Sequence, residues 1–340
     1  AGTFTPTANT EDDNNTLSLA TSYTDTAGNA GPAATTPNYA VETQAPSVSS
    51  FTLSDTALKT GETATVTLVF SEAVASFASG DDITVANGSL DNMSSSDNIT
   101  WAGTFTPTAN TEDDNNTLSL ATSYTDTAGN AGPAATTPNY TVDTTAPTIS
   151  SVTASWGTYL NATEDDSDGT VTVVTSLAEN GQTVTVALNG TNYTGTVSDN
   201  STSVTIAASG LQALANGSSY TLTTNVSNAA GNAATENTGT SFTYDITVPT
   251  LAETTAVSTL TNDNSTQYTF SSSEGGTISV GGSCSSDNDT AVADNMTVSF
   301  AALADGTYSD CTITVTDSAG NTPQTISVNT FTIDTVKPVL

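Results

Sequence analysis

Acidic side chains are the chemically loaded residues of this chain, and they recur on one plan. Thr125-Asp126-Thr127-Ala128-Gly129-Asn130 is followed, after a short stretch, by Val142-Asp143-Thr144-Thr145-Ala146-Pro147, and this pattern occurs four times. The other copies lead from Asp25 to Glu42 and Pro46, from Asn228 to Asp245 and Pro249, and from Asp317 to Asp334 and Pro338, always with the linker acid 17 positions after the first side chain. Such oxygen-rich sets suit a hard cation, because calcium takes roughly 6 to 8 oxygens from carboxylates, carbonyls and water. The glycine permits a positive φ and so a sharp turn that points carbonyls at one spot. The same residues also suit a plain turn in which the Asp accepts N–H groups of its own loop. Calcium at the junctions is the expectation, with the plain turn as its alternative.

The acids must sit on something that folds, and the composition narrows what that is. Against 35 Asp and Glu stand only Lys59 and Lys337, for a formal charge of −33. That field repels nucleic acid and anionic membranes and attracts cations. No apolar run approaches the roughly 20 residues that span a bilayer, so neither nucleic-acid binding nor membrane insertion is expected. With no histidine and no arginine, Ser-His pairs and phosphate clamps cannot be assembled. A carboxylate pair could still hydrolyse glycosides, but only in an aromatic-lined cleft, and Trp101 and Trp156 fall in different repeats, so no enzyme is expected.

Residues 1–39 are repeated without change at 102–140. The division read from this is the back half of a repeat at 1–46, a complete one at 47–146, diverged ones at 147–248 and 249–337, and the start of another at 338–340. A period of roughly 100 residues fits an immunoglobulin-sized sandwich and is too long for a solenoid. Period-2 alternation supports strands: Val66, Leu68 and Phe70; Trp101, Gly103 and Phe105; Val171 and Val173; Val184, Val186 and Leu188; Tyr268 and Phe270; Ile313 and Val315. No segment shows a helical period. Tyr220 and Tyr308, each after a turn, are placed to make corner hydrogen bonds.

Cys284 and Cys311, the only cysteines, fall in one expected repeat and read as a disulfide, with two buried free thiols as the alternative. Ile278, Val280, Gly282 and Cys284 are placed on one strand, and Cys311, Ile313 and Val315 on another. A disulfide points to an oxidising, extracytoplasmic location: secreted, extracellular or at a cell surface.

Phe70-Ser71-Glu72-Ala73-Val74, Thr104-Phe105-Thr106-Pro107-Thr108-Ala109-Asn110, the Asp126 turn and the Asp143 linker resemble the bacterial immunoglobulin-like repeats of giant secreted surface adhesins. The resemblance implies tandem β-sandwich extender modules, often stiffened by calcium, which hold a terminal binding domain away from the cell. The implied partners are neighbouring repeats of the same long chain, with a host or surface ligand reached through other domains. A self-assembling filament or surface layer, in which copies of the chain contact one another, is the alternative.

In a seven-stranded sandwich the loops after the second and sixth strands lie at the pole where the chain comes in. The expected ligand sets are therefore Glu42, Glu72 and Asp126 with Asn130; Asp143, Glu179 and Asn228; and Asp245, Glu274 and Asp317. Asp25 and Asp334 are the corresponding positions of the outermost copies. Glu11-Asp12-Asp13 and Glu112-Asp113-Asp114 either complete a junction site or solvate a turn, whereas Asp81-Asp82, Glu164-Asp165-Asp166 and Asp287 with Asp289 read as solvated loops. Asn87, Asn98, Asn189, Asn192 and Asn216 stand in Asn-x-Ser/Thr sequons, which carry little signal in so Asn- and Thr-rich a chain.

Overall fold

A computed structural model describes residues 1–323 and 325–339; Leu340, which closes the expected start of a further repeat at 338–340, lies outside the described residues. The chain is built almost wholly of antiparallel strands in immunoglobulin-like β-sandwiches, with single helical turns only at Ser79–Asp82 and Ala208–Leu211 among the described residues. Two compact units are formed, Ala1–Ala146 with Ala230–Asn232, and Pro147–Ala229 with Ala233–Leu340.

In the first unit one apolar core gathers Phe51, Val66, Leu68, Phe70, Phe105, Leu118, Tyr124, Tyr140 and their neighbours. The alternation explains it: Val66, Leu68 and Phe70 all point inward from Ala64–Phe70, while Thr65 and the other residues between them point outward or sideways. That strand sits between Val48–Leu53 and Thr100–Pro107, and Gly88–Leu90 closes the sheet. The opposing layer pairs Glu112–Asn116 with Tyr140–Asp143, and Ala57–Lys59 joins the latter strand in parallel.

The second unit holds two separate cores. One gathers residues from Trp156 to Tyr244 and the other residues from Val257 to Ile333. Each repeats the short parallel pairing: Tyr159–Leu160 beside Asn237–Tyr244, and Leu260–Thr261 beside Phe331–Ile333. The corner hydrogen bonds form as expected from position. Tyr220 Oη accepts from Ala215 N–H at 2.7 Å, and Tyr308 Oη donates to the Ala304 carbonyl at 2.9 Å.

In the second copy of the repeated 39 residues, Phe105, Leu118, Leu120 and Tyr124 are sealed in the core.

Cys284 and Cys311 form a disulfide with Cα atoms 5.3 Å apart, both buried in the last core. Cys284 is not on the strand expected for it. Gly276–Gly281 ends before Gly282, whose φ of +74° turns the chain back toward Asp310. A Cβ at Gly282 would stand 2.0 Å from the Asp310 carbonyl oxygen, so only glycine fits this approach. Closing a loop of about 28 residues is worth about 3 to 4 kcal/mol in the chain-entropy account. Reduction, or the paired change of Cys284 and Cys311 to Ala, is expected to lower the melting of that core alone. Calorimetry resolving separate transitions checks it, and a shift in every transition counts against it.

Candidate cation junctions

The turn is the first thing the structure builds from these acids. Asp126 Oδ1 accepts the N–H groups of Ala128, Gly129 and Asn130 at 2.8, 2.7 and 2.9 Å, and its Oδ2 accepts from Asn130 Nδ2 at 2.8 Å. Gly129, at φ +97°, allows the chain to close around the carboxylate. Asp25 and Asp317 do the same for Asn29 and Asn321. Burial pushes the Asp126 carboxyl up, but the Asn130 side chain and the three N–H donors together hold it below its ordinary value. Asp25 is held low by the Asn29 side chain first and then by backbone donors.

Each linker acid likewise accepts an N–H two residues on, at Gln44 for Glu42, Thr145 for Asp143, Thr247 for Asp245 and Val336 for Asp334. These Asx-type turns direct the chain out of the last strand.

In two of the expected trios the acids feel one another's charge. In the first unit the loop after Ala64–Phe70 lies against the Asp126 turn, through a bridge between Val74 and Asp126 and a bond from Ala75 N–H to the Thr125 carbonyl. Glu72 is half-buried there, and its carboxyl is pushed up by burial first, then by the charges of Asp126, Glu42 and Glu11. In the second unit Glu274 is pushed up by burial and then by Asp245 and Asp317. Its Oε2 is buried with no hydrogen-bond partner. Such an atom is costly unless something positive meets it.

Glu11 comes from the acidic run whose role the sequence left open. Glu11–Asn15 pairs antiparallel with Tyr39–Glu42, which sets Glu11 opposite Glu42. Glu112 stands opposite Asp143 in the same register.

The middle set is divided between the units. Asp143 belongs to the first, while Glu179 and Asn228 belong to the second, where Glu179 Oε2 accepts from Ala229 N–H at 2.9 Å beside the buried Asn228. Asp25 and Asp334 are both exposed at their own turns. Among the described residues no group of three or more His, Cys, Asp or Glu side chains is already arranged to hold a metal ion. The donors nevertheless fit a hard divalent cation in kind: carboxylates near one another, one of them with an orphaned oxygen, and no basic group among the causes of their shifts.

Two acids expected to be solvated are structural instead. Asp82 is buried, accepting from Ala78 N–H at 2.8 Å and from the Ser123 hydroxyl, and Asp165 is buried against Tyr244, whose hydroxyl donates to it at 2.6 Å. The partners lie 41 and 79 positions away, beyond any local pattern. Trp101 and Trp156 pack on Phe77 and Phe242. A cleft of 330 Å³ in the first unit, lined by Thr60, Thr106, Pro107 and Ala146 among others, has Glu62 as its one lining carboxylate.

The pH dependence follows from the raised carboxyls. A folded-state value above the unfolded one gives stability that is fully present below the ordinary value of 4.5 and is lost as pH rises through the raised value. Without divalent ions, Glu274→Gln is therefore expected to gain stability over the parent chain near neutral pH and not below that range. Urea midpoints measured against pH in chelator check this; parallel curves for the two proteins contradict it.

The fold and the turns define an array of immunoglobulin-like sandwiches. Residues 42–142 match the family model for the bacterial Ig-like domain. No curated protein matches the chain. Among solved structures, a 1.5-MDa bacterial ice-binding adhesin is similar at 22% identity, over 84% of this chain and 96% of that one, with a TM-score of 0.36. A Ca2+-stabilized adhesin with which an Antarctic bacterium binds ice is similar at 23%, over 92% and 80%, with a TM-score of 0.40. A tetra-tandem repeat from the extending region of a large adhesion protein is similar at 18%, over 84% and 75%, with a TM-score of 0.27.

Proposed function

We propose that the chain is a non-enzymatic extender segment of an exported surface adhesin, divided at 46, 146, 248 and 337, in which calcium stiffens the junctions between successive sandwiches. The observation that carries the reading is the junction of the second unit. There the linker acid Asp245, the turn acid Asp317 and the loop acid Glu274 share one field, and Glu274 Oε2 is buried without a partner. Glu42, Glu72, Asp126 and Glu11 repeat the arrangement in the first unit. These residues would hold the ion, with backbone carbonyls and water completing its shell, and the ion would supply positive charge and a fixed point between linker and turn. An extender works mechanically, so repetition of one module with short proline-bearing linkers is what the task requires.

The test is small-angle scattering of the whole chain in calcium and in chelator. Chelator is expected to shorten the maximum dimension and broaden its distribution. Superimposable curves, with an unchanged melting profile, would remove calcium from this account.

A further inference from the structure

The asparagine that ends the Ala-Gly-Asn turn has a second set of partners that the turn does not need. Asn321, buried in the second unit, accepts the Ala162 N–H at Oδ1 (3.1 Å) and donates from Nδ2 to the Asp245 carbonyl (2.8 Å) as well as to Asp317 Oδ2 (2.9 Å). Ala162 and Asp245 mark the frayed end of the parallel pair Tyr159–Leu160 and Asn237–Tyr244. The last rung of that ladder is Asp245 N–H to the Leu160 carbonyl, at 2.9 Å. The next N–H and the next C=O therefore face a gap, and the asparagine amide fills it as a peptide unit would, one acceptor and one donor in a plane. Asn161 Nδ2 reinforces the contact by donating to the Ala319 carbonyl at 2.9 Å.

The arrangement recurs within the first unit, where Asn232 Oδ1 accepts from Thr60 N–H at 2.9 Å and Asn232 Nδ2 donates to the Asp143 carbonyl at 2.9 Å. Thr60 and Asp143 hold the same places at the end of the parallel pair Ala57–Lys59 and Tyr140–Asp143. At the junction after Glu42 the bond is different: Asn130 Nδ2 donates to the Gln44 carbonyl at 3.4 Å. At the end of the last core Asp263 N–H, the counterpart of Ala162, turns to the Thr261 hydroxyl at 3.0 Å.

We infer that Asn321 is a docking key whose amide adds one rung to the strand pair of the preceding sandwich, fixing the core of 257–333 to the core of 156–244 by direct hydrogen bonds and without a metal. Its partner surface is the Ala162 N–H and the Asp245 carbonyl, and its aim is set by Asp317. This goes beyond the extender reading and assigns part of the stiffness to the chain itself.

The test uses the full chain in chelator and in calcium, with amide exchange at Ala162 and residual dipolar couplings for the two cores. In the parent chain without calcium, both cores are expected to share one alignment tensor and Ala162 to be protected. Asn321→Ala is expected to speed exchange at Ala162 by about five- to tenfold, the scale of one net hydrogen bond, and to separate the tensors. Asn321→Asp keeps an acceptor for Ala162 and loses the donor, so it is expected to retain protection there and still free the linker. Melting of the last core reports whether either variant folds. If Asn321→Ala folds but leaves tensors and exchange unchanged, the key is overturned. If calcium alters nothing in the parent chain while the variant still loosens, the calcium reading falls and the key stands.

Discussion

Phe105→Ala is expected to cost about 3 to 5 kcal/mol, the range for truncating a buried aromatic. Phe105 is 0% exposed, meets Tyr140 edge-on at 5.2 Å, and lies so close over Gly88 that even a Cβ there would collide with its ring. Truncating it opens a cavity between Tyr140 and Gly88. Calorimetric scans of the variant decide the matter: a transition of the first core that stays at its parent position would contradict the expectation.

Asp126→Ala is expected to be the costliest single change at a junction, about 1 to 3 kcal/mol, because it strips three backbone N–H groups of their shared acceptor. Asp126 itself is 2% exposed. Burial is the main cause of the raised Glu72 carboxyl, but removing the Asp126 charge takes away one that adds to it, so the Glu72 carboxyl is expected to fall toward its ordinary value. Carbon-detected titration of Glu72, with amide exchange at Ala128, Gly129 and Asn130, reads both effects. A stable variant with protected amides would show that the turn holds without its carboxylate.

The alternating runs carried the strands because inward side chains repeat every second residue. Val66, Leu68 and Phe70 and their counterparts are buried as that period requires. The short parallel strands were not legible, since two or three residues such as Tyr159–Leu160 have no period to read. That Glu42 and Asp126 act on Glu72, and Asp245 and Asp317 on Glu274, was expected from sandwich topology. Buried Asp82 and Asp165 were missed because their partners, Ser123 and Tyr244, are near only in the fold. The second role of Asn321 and Asn232 was invisible for another reason. Their partners are backbone groups, which every residue carries, so no side-chain pattern announces them.

Every mechanical consequence drawn for calcium depends on the carboxylates of Glu72 and Glu274 being met by a cation. Isothermal titration of calcium chloride into the full chain measures that directly, in the parent and in the Glu72→Gln, Glu274→Gln double variant. Saturable binding in the parent, with at least one site lost in the double variant, is the predicted result; a parent chain that takes up no calcium, or a double variant that binds as the parent does, contradicts it.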